Sequence, residues 1–472
     1  DLYELTMMQG YFETQENETV IFDVFFRNNP NNGGYSIMAG LGQVIDYIKN
    51  LNFSYEDVDY LRGLGIFTED FLHYLSGFHF SGDIYAIREG SVIFPKEPLL
   101  KIVAPIMEAQ LVETAILNII NHQCLIATKA SRVVYAAQGD GIMEFGLRRA
   151  QGPDAGLYGA RAAMIGGCVG TSNVLAGQMF DVPVMGTHAH SWIMSFKDEY
   201  TAFKEYARLY PNACTLLVDT YDTLKSGVPN AIRVFTEMRD AGIHPKSYGI
   251  RLDSGDLAYL SKKARKMLDE AGFTDAVIAA SNDLDEFLIN DLKIQGAKIG
   301  SWGVGTNLIT SKDCPSFGGV YKLSAIQNND GEFIPKIKIS ENVEKITNPG
   351  DKTIYRVYDK ETGKIRADLI CFADETWNEE DELLLFDPNA TWKKTRLQGG
   401  SYTMKEILLP IFKHGECIYE SPSVMEIAQF CKEEKETLWD ETKRLFNPHG
   451  VYVDLSRSLY DTKNRLLDDM SK

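Results

Sequence analysis

The peptide VMGTHAHSW, residues 184–192, carries two of the chain's eight histidines, His188 and His190, two positions apart. Such a pair at a strand end could hold a transition metal, or one ring could act as a nucleophile. A metal needs further ligands, commonly more histidines at later strand ends. Only His244, His414 and His449 follow. His244 stands in AGIHPKSYGI, ahead of its strand and so on the opposite face, and the other two lie beyond the barrel region. Asp219, Asp253 and Asp283 could still offer oxygen. A third reading is a structural histidine that caps a helix or satisfies a buried carbonyl. The shortage of ligands weighs against the metal. The company of six other polar clusters weighs against a purely structural role.

Those clusters are FGLRRAQG (145–152), GTSN (170–173), VDTYDT (218–223), RLDSGD (251–256), SNDLDE (281–286) and GVGTN (303–307). Arg148, Arg149 and Arg251 are permanent cations whose forks match carboxylate and phosphate. Gly303, Gly305 and Thr306 follow a late strand, where bare N–H groups and a hydroxyl suit phosphate oxygens, although a plain tight turn reads as well. Asp219, Asp253 and Asp283 suit Mg²⁺ or vicinal ribose hydroxyls. The competing reading is helix capping by Asp253-Ser-Gly-Asp256 and Ser281-Asn-Asp283. No P-loop, complete Gly-x-Gly-x-x-Gly or His-Glu-x-x-His occurs. Gly40-Leu-Gly42 reads as a turn. Neither Cys nor Ser has a base beside it. Cations, a phosphate nest, carboxylates and histidine together point to chemistry on a phosphorylated sugar.

The elements that must position these groups alternate. Each cluster follows a strand-length apolar run and precedes a helical stretch, at 198–209, 227–241, 256–271 and 284–295. About seven such units imply a parallel sheet with right-handed crossovers, closer to a barrel than to an open sheet. The fold class is α/β: an irregular (β/α) barrel, complete or incomplete, with an additional α+β domain. Residues 1–138 read as the α+β domain, with strands at 19–26 and 83–93 and a helical region at 104–138. Residues 139–327 read as the barrel. Residues 328–472 form a C-terminal segment packing on the N-terminal domain, with a hairpin at 348–370 and one helix at 423–446.

Composition sets outer bounds. Seven scattered cysteines without a Cys-x-x-Cys fit a reducing cytoplasm rather than a disulfide framework. A net charge of −18 repels nucleic acid and anionic membranes. No run of 18 or more apolar residues is present. DLYELTMMQG at the start has no signal-peptide pattern, and the lack of an initiator Met leaves the upstream residues open.

The ordered motifs DLYELTM, FFRNNP…YSIMAGL, EFGLRRAQG, GTSNVLAG, GTHAHSW, LLVDTYDT, GIRLDSGDL, ASNDLDE, WGVGTNL and KISENVEKITNPGDKTIYR resemble the nicotinate phosphoribosyltransferase family along nearly the whole chain. The resemblance implies conversion of nicotinate and phosphoribosyl pyrophosphate to nicotinate mononucleotide and pyrophosphate, with Mg²⁺ and coupled ATP hydrolysis. It implies a phosphorylated histidine at His190, Asp219 orienting it or holding Mg²⁺ near Asp253, and no tightly bound metal. Arg251 and Thr306 map to phosphoribosyl pyrophosphate and Thr187 near nicotinate. Phe145 and Tyr3 map to an aromatic sandwich, with Tyr3 from the other subunit of a homodimer. Nicotinamide phosphoribosyltransferases are the nearest alternative. There an Asp replaces the residue equivalent to Ser172, whereas a Ser can donate to a carboxylate. Quinolinate phosphoribosyltransferases, a non-catalytic nucleotide-binding regulator and a metal-dependent barrel hydrolase are more distant alternatives.

Overall fold

The computed structural model describes residues 1–14, 16–341, 345–388, 390 and 392–470, so three positions of the last family motif, 342–344, lie outside the described residues. The chain divides into two compact units: Asp1–Leu125 with Ser316–Pro422 and Gln429–Lys472, and Ile126–Pro315 with Ser423–Ala428.

In the first unit, TVIFDVFF forms a strand at Thr19–Phe26, as its β-branched and aromatic content predicts. It lies between Gly319–Gln327 and Leu100–Pro105, antiparallel to both, inside a seven-stranded sheet. Its Asp23 is buried against Lys352, whose ammonium stands 2.8 Å away. A second, six-stranded sheet holds the expected hairpin, Lys352–Asp359 with Ile365–Phe372. Three expectations need correction. The run at 83–93 is not one strand: it stops at Ile87 and resumes at Val92–Ile93. Between them the buried Glu89 accepts hydrogen bonds from Gly40 N (2.6 Å) and Gly42 N (3.2 Å), so it satisfies the start of helix Leu41–Asn50. The helical region begins at Ile106 and divides into Ile106–Leu111 and Glu113–Ala136. The C-terminal helix ends at Glu436 and a short one follows at Asp440–Lys443. Trp439 between them donates its indole N–H to Ile365 O at 2.7 Å, which turns the chain.

The second unit is built on six parallel strands: β1 (Gly141–Glu144), β2 (Gly170–Thr171), β3 (Ala213–Leu217), β4 (Ser247–Leu252), β5 (Val277–Ala280) and β6 (Ser301–Val304). Their order is β2-β1-β6-β5-β4-β3. The seventh expected strand shrinks to one parallel bridge, Thr171 to Val184, beside β2. The wall therefore runs from Val184 round to β3, and among the described residues no strand pairing joins those two edges. The intervening helices are Glu199–Leu209, Val228–Asp240, Leu257–Glu270 and Glu286–Ile294. Each strand is followed by its polar cluster, so the clusters share the C-terminal face.

Candidate functional site

Three loops after β3, β4 and β5 each carry two aspartates. In each, the second is spent on local structure. Asp222 accepts from Leu224 N and Lys225 N (3.2 and 2.9 Å), Asp256 from Tyr259 N (2.9 Å), and Asp285 from Leu288 N (2.8 Å). These are helix-start caps. The capping anticipated for Asp253 and Asp283 thus falls to Asp256 and Asp285. Asp219, Asp253 and Asp283 are left out of the caps.

His190 opens the short helix His190–Met194. Its Nδ1 lies 3.1 Å from Thr220 Oγ1. Its Nε2 lies 3.9 Å from Asp219 Oδ1 and 3.8 Å from Asp253 Oδ2. Both distances exceed hydrogen-bond range, so the contact that orients the ring belongs to Thr220, not to Asp219. The Asp219 side chain is 2% exposed. Its Oδ2 accepts from Asp253 N at 2.8 Å and Ser254 Oγ at 2.7 Å, while its buried Oδ1 has no hydrogen-bond partner among the described residues. Asp253 Oδ1 accepts from the Ser281 hydroxyl. A hard divalent cation such as Mg²⁺ would be held here by the carboxylates of Asp219 and Asp253, whose oxygens suit it. Among the described residues, no group of three or more His, Cys, Asp or Glu could hold a metal by itself.

His188 points elsewhere. Its buried ring meets Tyr206 edge-on, with centroids 4.6 Å apart. Its Nε2 accepts from Leu217 N, on the free edge of β3, at 3.4 Å, and its Nδ1 is 3.5 Å from Ala189 O. Burial pushes its pKa down to about 4, which keeps the ring neutral. The network fits the Nδ1–H tautomer, with both nitrogens committed. His188 therefore plugs the gap between Val184 and β3, and the two histidines do not converge.

Arg251, on β4, donates to the Thr187 hydroxyl, and its Nε is buried without a hydrogen-bond partner among the described residues. Burial lowers its pKa, Asp253 and Asp219 oppose that, and Arg148 adds to the lowering. The charge persists, since guanidinium does not deprotonate in proteins. Arg148 is thus within electrostatic reach of Arg251. Both Arg148 and Arg149 are exposed on the turn Leu147–Arg149. The Phe145 ring lies against Gly303: a Cβ there would sit 2.6 Å from Cδ2 and 2.8 Å from Cε2. Gly303 makes room for that ring. Gly305 and Thr306 open the short helix Thr306–Ile309. Asn307 ties it to the β5 loop through Asp283 O (3.0 Å) and Leu284 O (3.1 Å), while the Asp283 side chain is exposed. Ser172 is half-buried, with its N–H on Glu144 O at 3.0 Å. Tyr3 belongs to the first unit, on helix Leu2–Thr14, where its hydroxyl pairs with Thr114 Oγ1 at 3.2 Å.

Sequence reasoning missed Thr220 and Glu144. Nothing marks Thr220 inside VDTYDT. Glu144 carried a signal: an acidic residue closing the buried run of β1, where a charge must find donors.

Parallel strands with cations, carboxylates and one oriented imidazole on the C-terminal face define an α/β protein with an open, barrel-like wall and a polar strand-end site. Family models match residues 1–121 (nicotinate phosphoribosyltransferase N-terminal domain), 141–362 (nicotinate phosphoribosyltransferase family) and 351–463 (nicotinate phosphoribosyltransferase C-terminal domain). The chain is 46% identical over 471 residues to the nicotinate phosphoribosyltransferase of Bacillus subtilis (strain 168), covering 100% of this chain and 95% of that one. It is 30% identical to that of Homo sapiens, covering 99% and 96%. The crystal structure of human nicotinic acid phosphoribosyltransferase superposes with TM-score 0.86 at 28% identity, covering 99% of both chains. A nicotinate-nucleotide pyrophosphorylase from Pyrococcus furiosus shares the fold, with TM-score 0.70 at 22% identity over 93% and 94%. The chain belongs to the nicotinate phosphoribosyltransferase family.

Proposed function

We propose that this chain transfers the phosphoribosyl group of phosphoribosyl pyrophosphate to nicotinate, forming nicotinate mononucleotide and pyrophosphate, and that ATP hydrolysis is coupled through His190. The observation that carries the ATP step is the imidazole geometry: Thr220 holds Nδ1, and Nε2 faces Asp219 and Asp253. With Nδ1–H donating to Thr220, the Nε2 lone pair attacks the γ-phosphorus of ATP. The N–P bond forms as the P–O bond to ADP breaks, and water later releases phosphate. Two carboxylates beside an arriving phosphoryl group repel it, which is why Mg²⁺ belongs to the reading.

In the transfer itself, the bond from ribose C1 to pyrophosphate breaks and the pyridine nitrogen bonds to C1. Arg251 and Thr306 neutralise or receive phosphate oxygens, and Asp253 and Asp283 suit ribose hydroxyls. Phe145 offers one face for the pyridine ring. Ser172, Thr187 and Arg148 or Arg149 suit the carboxylate. Tyr3 supplies the second ring face from the partner of a homodimer. Exposed Val174, Leu175, Met179, Val184 and Met185 support an interface on this unit. The scattered cysteines, with no Cys-x-x-Cys among them, support a reducing cytoplasm. No helix among the described residues is long and apolar enough to cross a membrane.

The test is a mononucleotide assay with Mg²⁺ and phosphoribosyl pyrophosphate, offering nicotinate or nicotinamide, each with and without ATP. Nicotinate mononucleotide that rises with ATP is expected. In His190→Ala, ATP hydrolysis should vanish while slow ATP-independent transfer remains, and undiminished hydrolysis would overturn the role of His190. Turnover of nicotinamide alone would favour the alternative substrate.

A further inference from the structure

Glu144 closes β1 and is fully buried. One carboxylate oxygen accepts from the backbone N–H of Gly146, and the other from the Thr171 hydroxyl at 2.6 Å. Its own carbonyl accepts from Ser172 N at 3.0 Å. One residue therefore grips two neighbouring strand-end loops. The first runs through Phe145 to Arg148, and the second carries Ser172. With Gly146 N–H and the Thr171 hydroxyl both donating, each carboxylate oxygen has one partner. Burial raises its pKa above the usual carboxylate value, and the Thr171 and Gly146 bonds offset only part of that rise. Gly146 cannot carry a side chain: a Cβ would press into Ile309 and come within 2.9 Å of Glu144 Oε1. The carboxylate thus occupies a place that the loop has left open for it.

We propose that Glu144 is a positioning residue that sets the pyridine end of the site, fixing the spacing between Phe145 and Arg148 on one loop and Ser172 on the other. The inference rests on the proposed nicotinate reading for its kinetic consequence, but not for the loop contact itself. Glu144→Gln keeps the shape. The amide has a single oxygen for the two donors, so the bond from Gly146 N–H or from the Thr171 hydroxyl is lost or reversed. Losing one hydrogen bond to a charged group is worth about a tenfold change or more.

Steady-state kinetics on the full chain should show KM for nicotinate raised about tenfold in E144Q. The KM values for phosphoribosyl pyrophosphate and ATP, and kcat at saturating nicotinate, should change less than about twofold on the same scale. Thr171→Val should reproduce the effect, Thr171→Ser should restore wild-type values, and the double variant should be no worse than either single one, since the two side chains form one unit. Hydrogen exchange gives a readout free of turnover: the peptide spanning residues 145–150 should lose protection in E144Q while β4 and β5 keep theirs. Unchanged nicotinate KM with unchanged exchange would overturn the proposal. Equal losses for all three substrates would reduce Glu144 to general stability. If the wild-type chain turned over no nicotinate, the functional reading would fall, and the exchange experiment would still decide the loop role.

Discussion

Replacing His188 by Phe tests the barrel's gap directly. The variant keeps a ring against Tyr206 and removes the acceptor for Leu217 N–H, which lies in the buried edge of β3. A buried N–H without an acceptor costs about 1–3 kcal/mol, and that is the loss expected at neutral pH. The pH dependence follows from the depressed pKa. The ring takes a proton at about 4 in the folded chain and at 6.5 in the unfolded one. Between those values the unfolded state binds more protons, so stability rises with pH. The contribution is complete above 6.5 and is lost as pH falls toward about 4. At about pH 5 the wild type has lost about 2 kcal/mol from this group, and the Phe variant has lost nothing from that position. The gap between the two proteins should therefore shrink by about 2 kcal/mol between pH 7 and about pH 5. Because the chain has two units, the assay is urea-dependent hydrogen exchange on peptides from β3 and β4, which reports the barrel unit. A gap independent of pH, or one that widens toward acid, would refute the buried neutral ring.

Three further outcomes are expected at the site. Thr220→Val removes the hydroxyl on His190 Nδ1 and should slow phosphoryl transfer from γ-labelled ATP by about two- to tenfold, the worth of a neutral hydrogen bond; an unchanged rate would free His190 from Thr220. Gly303→Ala pushes a methyl into the Phe145 ring and should raise KM for nicotinate with an overpacking cost of about 1–3 kcal/mol, read from kinetics and a melting curve. Ser172→Asp sets a carboxylate against the substrate's own and should cut kcat/KM for nicotinate by about tenfold or more beyond any loss for nicotinamide. Equal losses for both would make Ser172 structural.

The sequence was most legible where one strong local rule acted alone. The helix expected at 198–209 is found at Glu199–Leu209 because Asp198 accepts from Thr201 N and starts it. It was least legible where a distant partner decided. The run at 83–93 is apolar and β-branched at both ends, yet Arg88-Glu-Gly-Ser91 turns between them, where Glu89 is drawn to the N–H groups near Gly40, and the strand ends. The amphipathic pattern at 423–446 is unbroken, yet Trp439 is caught by Ile365 O. At the site, the loops were visible as polar clusters after apolar runs. Which aspartate in each loop serves as cap was not, because a cap is defined by where the helix starts and boundaries are the weakest part of a pattern. Thr220 and Glu144 act through contacts 30 and 27 residues away, and no spacing rule reaches that far.

The division of labour within the aspartate pairs has a consequence for how this chain tolerates change. Asp256 and Asp285 keep their helices capped whatever stands at 253 or 283. Chemistry and scaffold are thereby uncoupled one residue at a time. Asp253→Asn and Asp283→Asn should yield proteins that are silent but intact. Such variants would let substrates sit unreacted long enough to be crystallised.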